Sequence, residues 1–310
     1  MSAWTFSDIP PQQGRSAVIT GTGGLGYETA LALARAGGDV VLAGRNPDKG
    51  AASVAGIKAA VPAARIVFEP LDDLASLASV EAFAARLLAE RPGLDLLVNN
   101  AGVMTPPNRE TTRDGFELQF GTNYLGHFAL TARLLPLLRR GQAPRVVNVS
   151  SIAHRNGKIH FDDLQWARVY KPWPAYGQSK LAMLLFAFEL QRRSDAAGWG
   201  LLSNASHPGY ARTELIPNGP GTDGLFMKLG LLMQPLASQS AADGALPTLF
   251  AATAAGAARG AYYGPDWFYE LKGPPKLAYV APQARDRAAA ARLWEISERL
   301  TGTVFAAAVA

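Results

Sequence analysis

SAVITGTGGLGYETALALARA, residues 16 to 36, decides the fold. Ser16 to Thr20 is apolar and of strand length, and Tyr27 to Ala36 is the Ala- and Leu-rich pattern of a helix. Between them lie Gly21, Thr22, Gly23, Gly24, Leu25 and Gly26, a GxGxxG spacing at a strand-to-helix turn. Glycines let such a turn close tightly and approach a pyrophosphate, whose charge meets the unpaired N–H groups opening the helix. A glycine-rich turn without a ligand is the plainer alternative.

Outward from this unit the same alternation recurs. Strand-length apolar bursts lie at Asp39 to Ala43, Arg65 to Glu69, Leu94 to Val98, Arg145 to Ser150 and Leu201 to Ser206. Helices are predicted at Asp48 to Ala60, Ala75 to Arg91, Gly115 to Arg140 and Tyr176 to Ala197, with Pro136 expected to kink or end the fourth. Runs such as VVLA and RVVNVS are apolar on consecutive positions, as parallel strands covered on both faces require. The prediction is one α/β domain over residues 1–310, a doubly wound parallel sheet of the Rossmann type with about seven strands. Beyond Ser206 come a Gly-, Pro-, Leu- and Met-rich stretch, an Ala-rich helix, a short strand around Ala261 to Tyr263 and a last helix near 285–300.

The second strand ends in Leu42-Ala43-Gly44-Arg45-Asn46, about where a dinucleotide fold chooses its cofactor. An acidic residue there would accept bonds from the ribose 2′-OH. Gly44 and Arg45 instead offer room and a guanidinium suited to a 2′-phosphate, so NADP(H) is favoured over NAD(H). A solvated Arg45 with no ligand is the alternative.

The 310 residues are 48% hydrophobic and 18% charged, the composition of an ordered globular chain. The net charge of +5 is scattered and forms no basic stripe with interleaved aromatics, which argues against a nucleic-acid partner. There is no cysteine, and His127, His154, His160 and His207 lack ligand spacing, so no metal is expected. His207 has no acidic partner in view and reads as structural. The first residues lack the pattern of a secretory signal, and no apolar run reaches the roughly 18 residues of a membrane span. A cytoplasmic location is the expectation.

Tyr176-Gly177-Gln178-Ser179-Lys180 places a phenol and an ammonium at i and i+4 on one helix face, and Val149-Ser150-Ser151 closes the strand before it. A nearby ammonium and an oxidised nicotinamide both favour the phenolate, which would make the pair a proton relay. By spacing alone the pair is weak, since surface helices often produce it.

With these residues in place the chain resembles the short-chain dehydrogenase/reductase family, in particular its retinol-dehydrogenase-like branch, which includes relatives of protochlorophyllide reductase. The markers are the Gly-rich turn, Asp73-Leu74, Asn99-Asn100-Ala101-Gly102, Asn123 in NYLGHF, Ser151, Tyr176 with Lys180, and His207-Pro208-Gly209. The resemblance implies that Ser151 polarises the substrate carbonyl, Tyr176 passes the proton, and Lys180 holds the nicotinamide ribose and lowers the tyrosine pKa. It implies that Asn123 sits in a helix irregularity and positions a water behind Lys180. A helix-interior Asn bonded to backbone is the alternative. Asp73 and Leu74 would meet the adenine, with Asp73 as a helix N-cap equally open. Asn100, Ala101 and Gly102 would back the adenosine ribose, and Pro208, Gly209 and Thr213 would lie against the nicotinamide and its phosphates. Arg45 and Asn46 complete the expected cofactor set, and Ser151, Ala153, Tyr176 and Tyr210 the expected substrate set. Two departures stand out: TGTGGLG is one residue shorter than the family's usual turn, and 25 positions separate Ser151 from Tyr176, a long insertion that the branch shares.

That insertion carries Trp166, Tyr170 and Trp173. After Gly209 come Tyr210, Leu215, Leu225, Phe226, Met227, Leu229, Leu231, Leu232 and Met233, read as a helical lid at about 210–240. Such a surface suits an apolar, bulky ketone, aldehyde or alcohol, or else packing against a neighbouring helix or subunit. Met183, Phe186 and Leu190 fit either a helix-pair interface or the core, leaving monomer, homodimer and homotetramer open. The favoured activity is hydride transfer at a carbonyl or alcohol carbon. Reduction of a C=C bond and a non-catalytic NADP(H)-binding sensor or scaffold are the alternatives.

Overall fold

The structure, a computed structural model, describes residues 3–211 and 238–305. The predicted lid residues from Leu215 to Met233, and Thr213, lie outside the described residues. Eight described strands form one sheet in the order β3-β2-β1-β4-β5-β6-β7-β8. They are β1 (Ser16–Thr20), β2 (Asp39–Gly44), β3 (Arg65–Pro70), β4 (Leu96–Asn99), β5 (Arg145–Val149), β6 (Leu202–Ser206), β7 (Tyr262–Trp267) and β8 (Lys272–Leu277). The first seven pair in parallel, and only β7 with β8 is antiparallel.

β8 adds an eighth strand to the seven expected. KGPPKL holds a glycine and two prolines, which argue against a strand interior, but an edge strand tolerates missing N–H donors on its open side. The sheet order reverses between β1 and β4, so both crossovers leave a crevice at the strands' carboxyl ends.

Side chains alternate through the sheet and divide the core. Val18, Val41, Leu97 and Val146 join one apolar cluster, and Ile19, Val40, Leu42, Val98 and Val147 join the other. The second cluster is closed by α1 (Gly24–Arg35), by Ile57 of α2 (Pro47–Ala60), and by Ala245 and Leu249 of α7 (Ala241–Thr253). The first is closed by α3 (Leu77–Glu90), α5 (Gly126–Arg140), α6 (Pro172–Ala197) and α8 (Arg287–Thr301). Met183, Phe186 and Leu190 are buried within this single chain. Phe186 lies against Trp294 and Phe305, with ring centroids 5.7 and 6.1 Å away.

The predicted helix 115–140 is not one regular helix. A single turn, α4 (Leu118–Phe120), leads into a π-helical turn at Gly121–Leu125 and then α5. Pro136 does not end α5, which continues to Arg140. Leu134, Leu135, Leu137 and Leu138 are all buried around it, and that burial outweighs the one backbone bond a proline removes. α6 starts earlier than predicted, with Pro172 in its first turn, so Tyr176 stands in the second turn rather than at the head.

Candidate active site

Every strand that carries a motif delivers it at the same edge. β1 ends at the glycine turn, β2 at Gly44 and Arg45, β4 at Asn100 to Gly102, β5 at Ser150 and Ser151, and β6 at His207 to Gly209.

The glycine turn is built for close approach. Gly21 has φ 92°, and a β-carbon on Gly26 would stand 2.1 Å from the Gly21 carbonyl oxygen. α1 starts at Gly24, and Gly23 before it brings no side-chain cap; the Gly26 N–H donates to Gly23 O at 3.1 Å, and the Gly24 and Leu25 N–H groups are left for another acceptor. Thr20 ties the turn to β4: its Oγ1 accepts the Asn100 and Ala101 N–H groups at 2.9 and 3.0 Å. Asn100 Nδ2 donates to Thr20 O at 2.8 Å. The missing residue in TGTGGLG thus leaves a tight uncapped turn, and these residues fit a dinucleotide pyrophosphate.

Gly44 packs on this turn, since a β-carbon there would meet Thr22 Cγ2 at 2.8 Å, and Arg45 beside it is exposed. Asn46 has structural work of its own: its Oδ1 accepts the Lys49 N–H at 2.9 Å and caps α2. Asp73 is not an N-cap, because Ser76 holds that position before α3. Its Oδ1 accepts the Ala75 N–H at 2.9 Å, fixing a turn in which Leu74 is buried. Asp73 Oδ2 lies 3.9 Å from Arg113.

Asn123 lies in the π turn, as the resemblance implied, and its side chain is fully used. Oδ1 accepts the Val103 N–H at 2.8 Å, while Nδ2 donates to Val103 O and Ser179 Oγ, each at 2.9 Å. Ser179 Oγ in turn donates to Tyr176 O at 2.8 Å, so the π turn is bonded through Ser179 to the tyrosine's backbone. His127, two residues past the turn, fixes it from the following helix. Its Nδ1 contacts Asn123 O and its Nε2 contacts Thr20 Oγ1, both at 2.9 Å. The carbonyl requires the proton on Nδ1, so Thr20 donates to Nε2. Burial lowers His127 to about 4 and keeps this ring neutral.

Ser151, Tyr176 and Lys180 come together. The Ser151 hydroxyl stands close enough to the Tyr176 phenol to favour its ionised form. Ser151 caps the 3-10 turn Ile152–Asn156, its Oγ accepting the Ala153 N–H at 3.2 Å. Ser150 faces away, its Oγ donating to Lys180 O at 2.7 Å. Lys180 Nζ donates to Val149 O at 3.0 Å and sits 5.7 Å from the Tyr176 ring centroid. A β-carbon on Gly102 would come within 2.9 Å of Asn123 Oδ1 and 3.7 Å of Lys180 Nζ, which brings the turn after β4 into the same cluster.

The electrostatics differ from the sequence expectation in one respect. Burial pushes Tyr176 up to about 12, and the nearby Ser151 hydroxyl opposes that only in part. Burial also lowers Lys180 to about 8. With both groups removed from water, desolvation dominates, and the protein alone holds the phenol protonated.

Of the insertion's aromatics, Trp166 is buried against His160, and Tyr170 donates to Pro106 O at 3.1 Å. Only Trp173 reaches the site: half-exposed, it meets the Tyr176 ring edge-on at 6.2 Å. Pro208, Gly209 and Tyr210 follow β6 at the same edge. His207 does have an acidic partner, which corrects the sequence expectation: Glu270 Oε2 lies 3.2 Å from its Nε2. Burial lowers His207. Burial alone would raise Glu270, but the bonds from His207 and the Tyr279 N–H, with the charge of Arg155, leave it below the ordinary carboxylate range. Sequence reasoning missed Glu270 because WFYELKG carries no motif, and only the fold closes the distance.

Comparison with known proteins gives the family. The short chain dehydrogenase profile matches residues 15–219. The chain is 42% identical over 295 residues to human retinol dehydrogenase 13, covering 93% of this chain and 85% of that protein. It is 50% identical over 212 residues to mouse polyprenol dehydrogenase, covering 67% of this chain and 63% of that protein. A crystal structure of an uncharacterized protein from Mycobacterium paratuberculosis superposes with a TM-score of 0.81 at 41% identity, over 99% of this chain and 100% of that one. A dinucleotide turn, a Tyr and Lys on one helix face and these relatives agree: the chain belongs to the short-chain dehydrogenase/reductase family, on its retinol-dehydrogenase-like branch, and is an NAD(P)-dependent oxidoreductase.

Proposed function

We propose that the protein uses NADP(H) to interconvert the carbonyl and alcohol forms of an apolar, bulky substrate, with Tyr176 as general acid and base. The observation that carries this is the buried Tyr176 phenol with Ser151 beside it and the buried Lys180 Nζ 5.7 Å from its ring. When bound, the nicotinamide supplies or accepts the hydride. Ser151 Oγ holds and polarises the substrate oxygen. As the carbonyl carbon gains the hydride, the Tyr176 phenol gives its proton to the developing alkoxide, and the reverse reaction returns it. A phenol pushed up to about 12 arrives protonated at neutral pH, ready as the acid for reduction. Lys180 supplies positive charge to the phenolate left behind and donates to the ribose hydroxyls, while Asn123 orders the backbone and solvent behind it.

Gly21 to Gly26 take the pyrophosphate, Arg45 the 2′-phosphate, and Asp73, Leu74 and Asn100 to Gly102 the adenosine. Pro208 and Gly209 would face the nicotinamide end. Ala153, Trp173 and Tyr210 border the substrate. The apolar class is supported by exposed Trp173 and by relatives named for retinol and polyprenol.

The test follows the absorbance of the reduced nicotinamide with a panel of apolar aldehydes, ketones and enones. Tyr176→Phe should lower kcat by at least about a hundredfold, the usual scale of a lost general acid. Full activity in that variant, or a saturated ketone as product, would refute the reading. Arg45→Asp should weaken NADPH by at least tenfold, a loss of about 1.4 kcal/mol, and leave NADH little changed. Equal effects would remove Arg45 from the 2′-phosphate site.

A further inference from the structure

The turn between β7 and β8 is made of residues that ordinarily avoid its conformation. Phe268, Tyr269 and Glu270 have φ of 47°, 56° and 66°, with no glycine among them. A β-carbon in that region crowds the following carbonyl, so three such residues in succession persist only where other contacts hold them. The contacts converge on Glu270.

Glu270 Oε2 accepts from Arg155 Nη2 at 2.5 Å and from His207 Nε2 at 3.2 Å, and Oε1 accepts the Tyr279 N–H at 2.8 Å. The tautomer of His207 follows from its other nitrogen, since Nδ1 accepts the Gly209 N–H at 3.1 Å and the ring proton must sit on Nε2. The Glu270 side chain is 12% exposed and the His207 side chain 0%, so this is not a solvated surface pair of the kind that contributes little.

Each partner belongs to a segment that the proposed reaction uses. Arg155 lies in the 3-10 turn capped by Ser151. His207 precedes Pro208 and Gly209, and a β-carbon on Gly209 would stand 2.3 Å from Leu271 O and 2.9 Å from Glu270 O. The next residue, Tyr210, donates its N–H to Leu271 O at 2.8 Å. The β7–β8 turn therefore touches both the serine's turn and the segment leaving β6, which come from different strands.

We propose that Glu270 is a positioning residue for the hydride-transfer site: by bonding Arg155 and His207 together it holds the turn after Ser151 and the segment Pro208–Tyr210 in one fixed arrangement. The proposal rests on the roles given above to Ser151 and Tyr176. A shift of about an ångström between groups that hold a substrate costs up to about a hundredfold in rate, so the effect should appear in turnover.

The test compares full-length wild type, Glu270→Gln and Arg155→Met. Gln keeps the shape of the side chain and removes its charge. kcat for the best carbonyl substrate should fall at least about tenfold in either variant, with the NADPH dissociation constant changed less than about threefold. The double variant should lose little more than either single one, because both break the same link. Hydrogen exchange followed by mass spectrometry should accelerate in residues 151–157 and 207–211 and stay unchanged in 20–26. Wild-type kcat and exchange in Glu270→Gln would overturn the proposal. So would a parallel loss of NADPH affinity and kcat, which would mark a general loss of structure. If the wild type reduced no carbonyl compound, or Tyr176→Phe changed nothing, the functional reading would fall, and the exchange measurement would still decide whether Glu270 joins the two segments.

Discussion

Lys180 is a buried ammonium, and burial lowers it from 10.5 to about 8. A lowered lysine means that between those two values the unfolded chain carries a proton that the folded chain has shed. Stability then rises with pH across that window, and below it the folded state bears the full cost of the buried charge. In Lys180→Met this contribution is absent. Urea titrations of both proteins should show the wild type gaining on the variant as pH rises from about 8 to 10, approaching about 3 kcal/mol in all. A constant difference over that range would show that Lys180 is not buried as the structure has it. The same variant should bind NADPH poorly, so the residue costs stability where it serves the reaction. Sequence spacing named Tyr176 and Lys180 but not the shift that burial gives each, because desolvation depends on everything packed around a group and no pair spacing encodes it.

At the scale of elements, the strands whose apolar residues run consecutively were legible because parallel strands buried on both faces need that pattern. β1, β2, β3 and β5 fall within a residue of their predicted bounds. By periodicity the segment 115–140 was legible only as a helix, and the irregularity at Asn123 was expected from the family resemblance alone. Its π turn arises because His127 Nδ1 takes the Asn123 carbonyl and the Asn123 side chain takes Val103, bonds to partners that helical periodicity does not register. β8 was illegible for another reason. Its prolines deny it strand propensity, and it exists because Tyr263, Gly264 and Pro265 offer it an edge. The turn leading into β8 carries three left-handed residues at roughly 1–2 kcal/mol each, so pairing and the Glu270 bonds must exceed that cost.

At the scale of the molecule, one aromatic group joins distant parts of the chain. Phe128 of α5, Phe186 of α6, Trp294 of α8 and Phe305 have ring centroids 4.4 to 6.1 Å apart, and Arg193 lies 4.5 Å over the Trp294 ring. Trp294→Ala should cost roughly 3–5 kcal/mol, read as a lower urea midpoint. Against the 5–15 kcal/mol total of a typical domain that is a large share. A loss below about 1 kcal/mol would mean that α8 does not pack on α6 as described. This group was hidden in the sequence, where Phe186 and Leu190 fitted a partner subunit as well as they fitted the core, because α8 is assigned to no neighbour by periodicity.

The helix that carries Tyr176 and Lys180 is thus covered by residues synthesised long after it. On the ribosome the first five strands can be complete while the Phe186 side of α6 still faces water, since Trp294 and Phe305 have yet to emerge. During that interval the nascent chain presents an oily surface along the helix that carries Tyr176 and Lys180, the kind of patch that chaperones hold and aggregates recruit. Yield in the cell should therefore depend on how promptly the residues from α6 to Phe305 are translated, and a stalled or prematurely stopped chain would be left with Tyr176 on an unsupported helix.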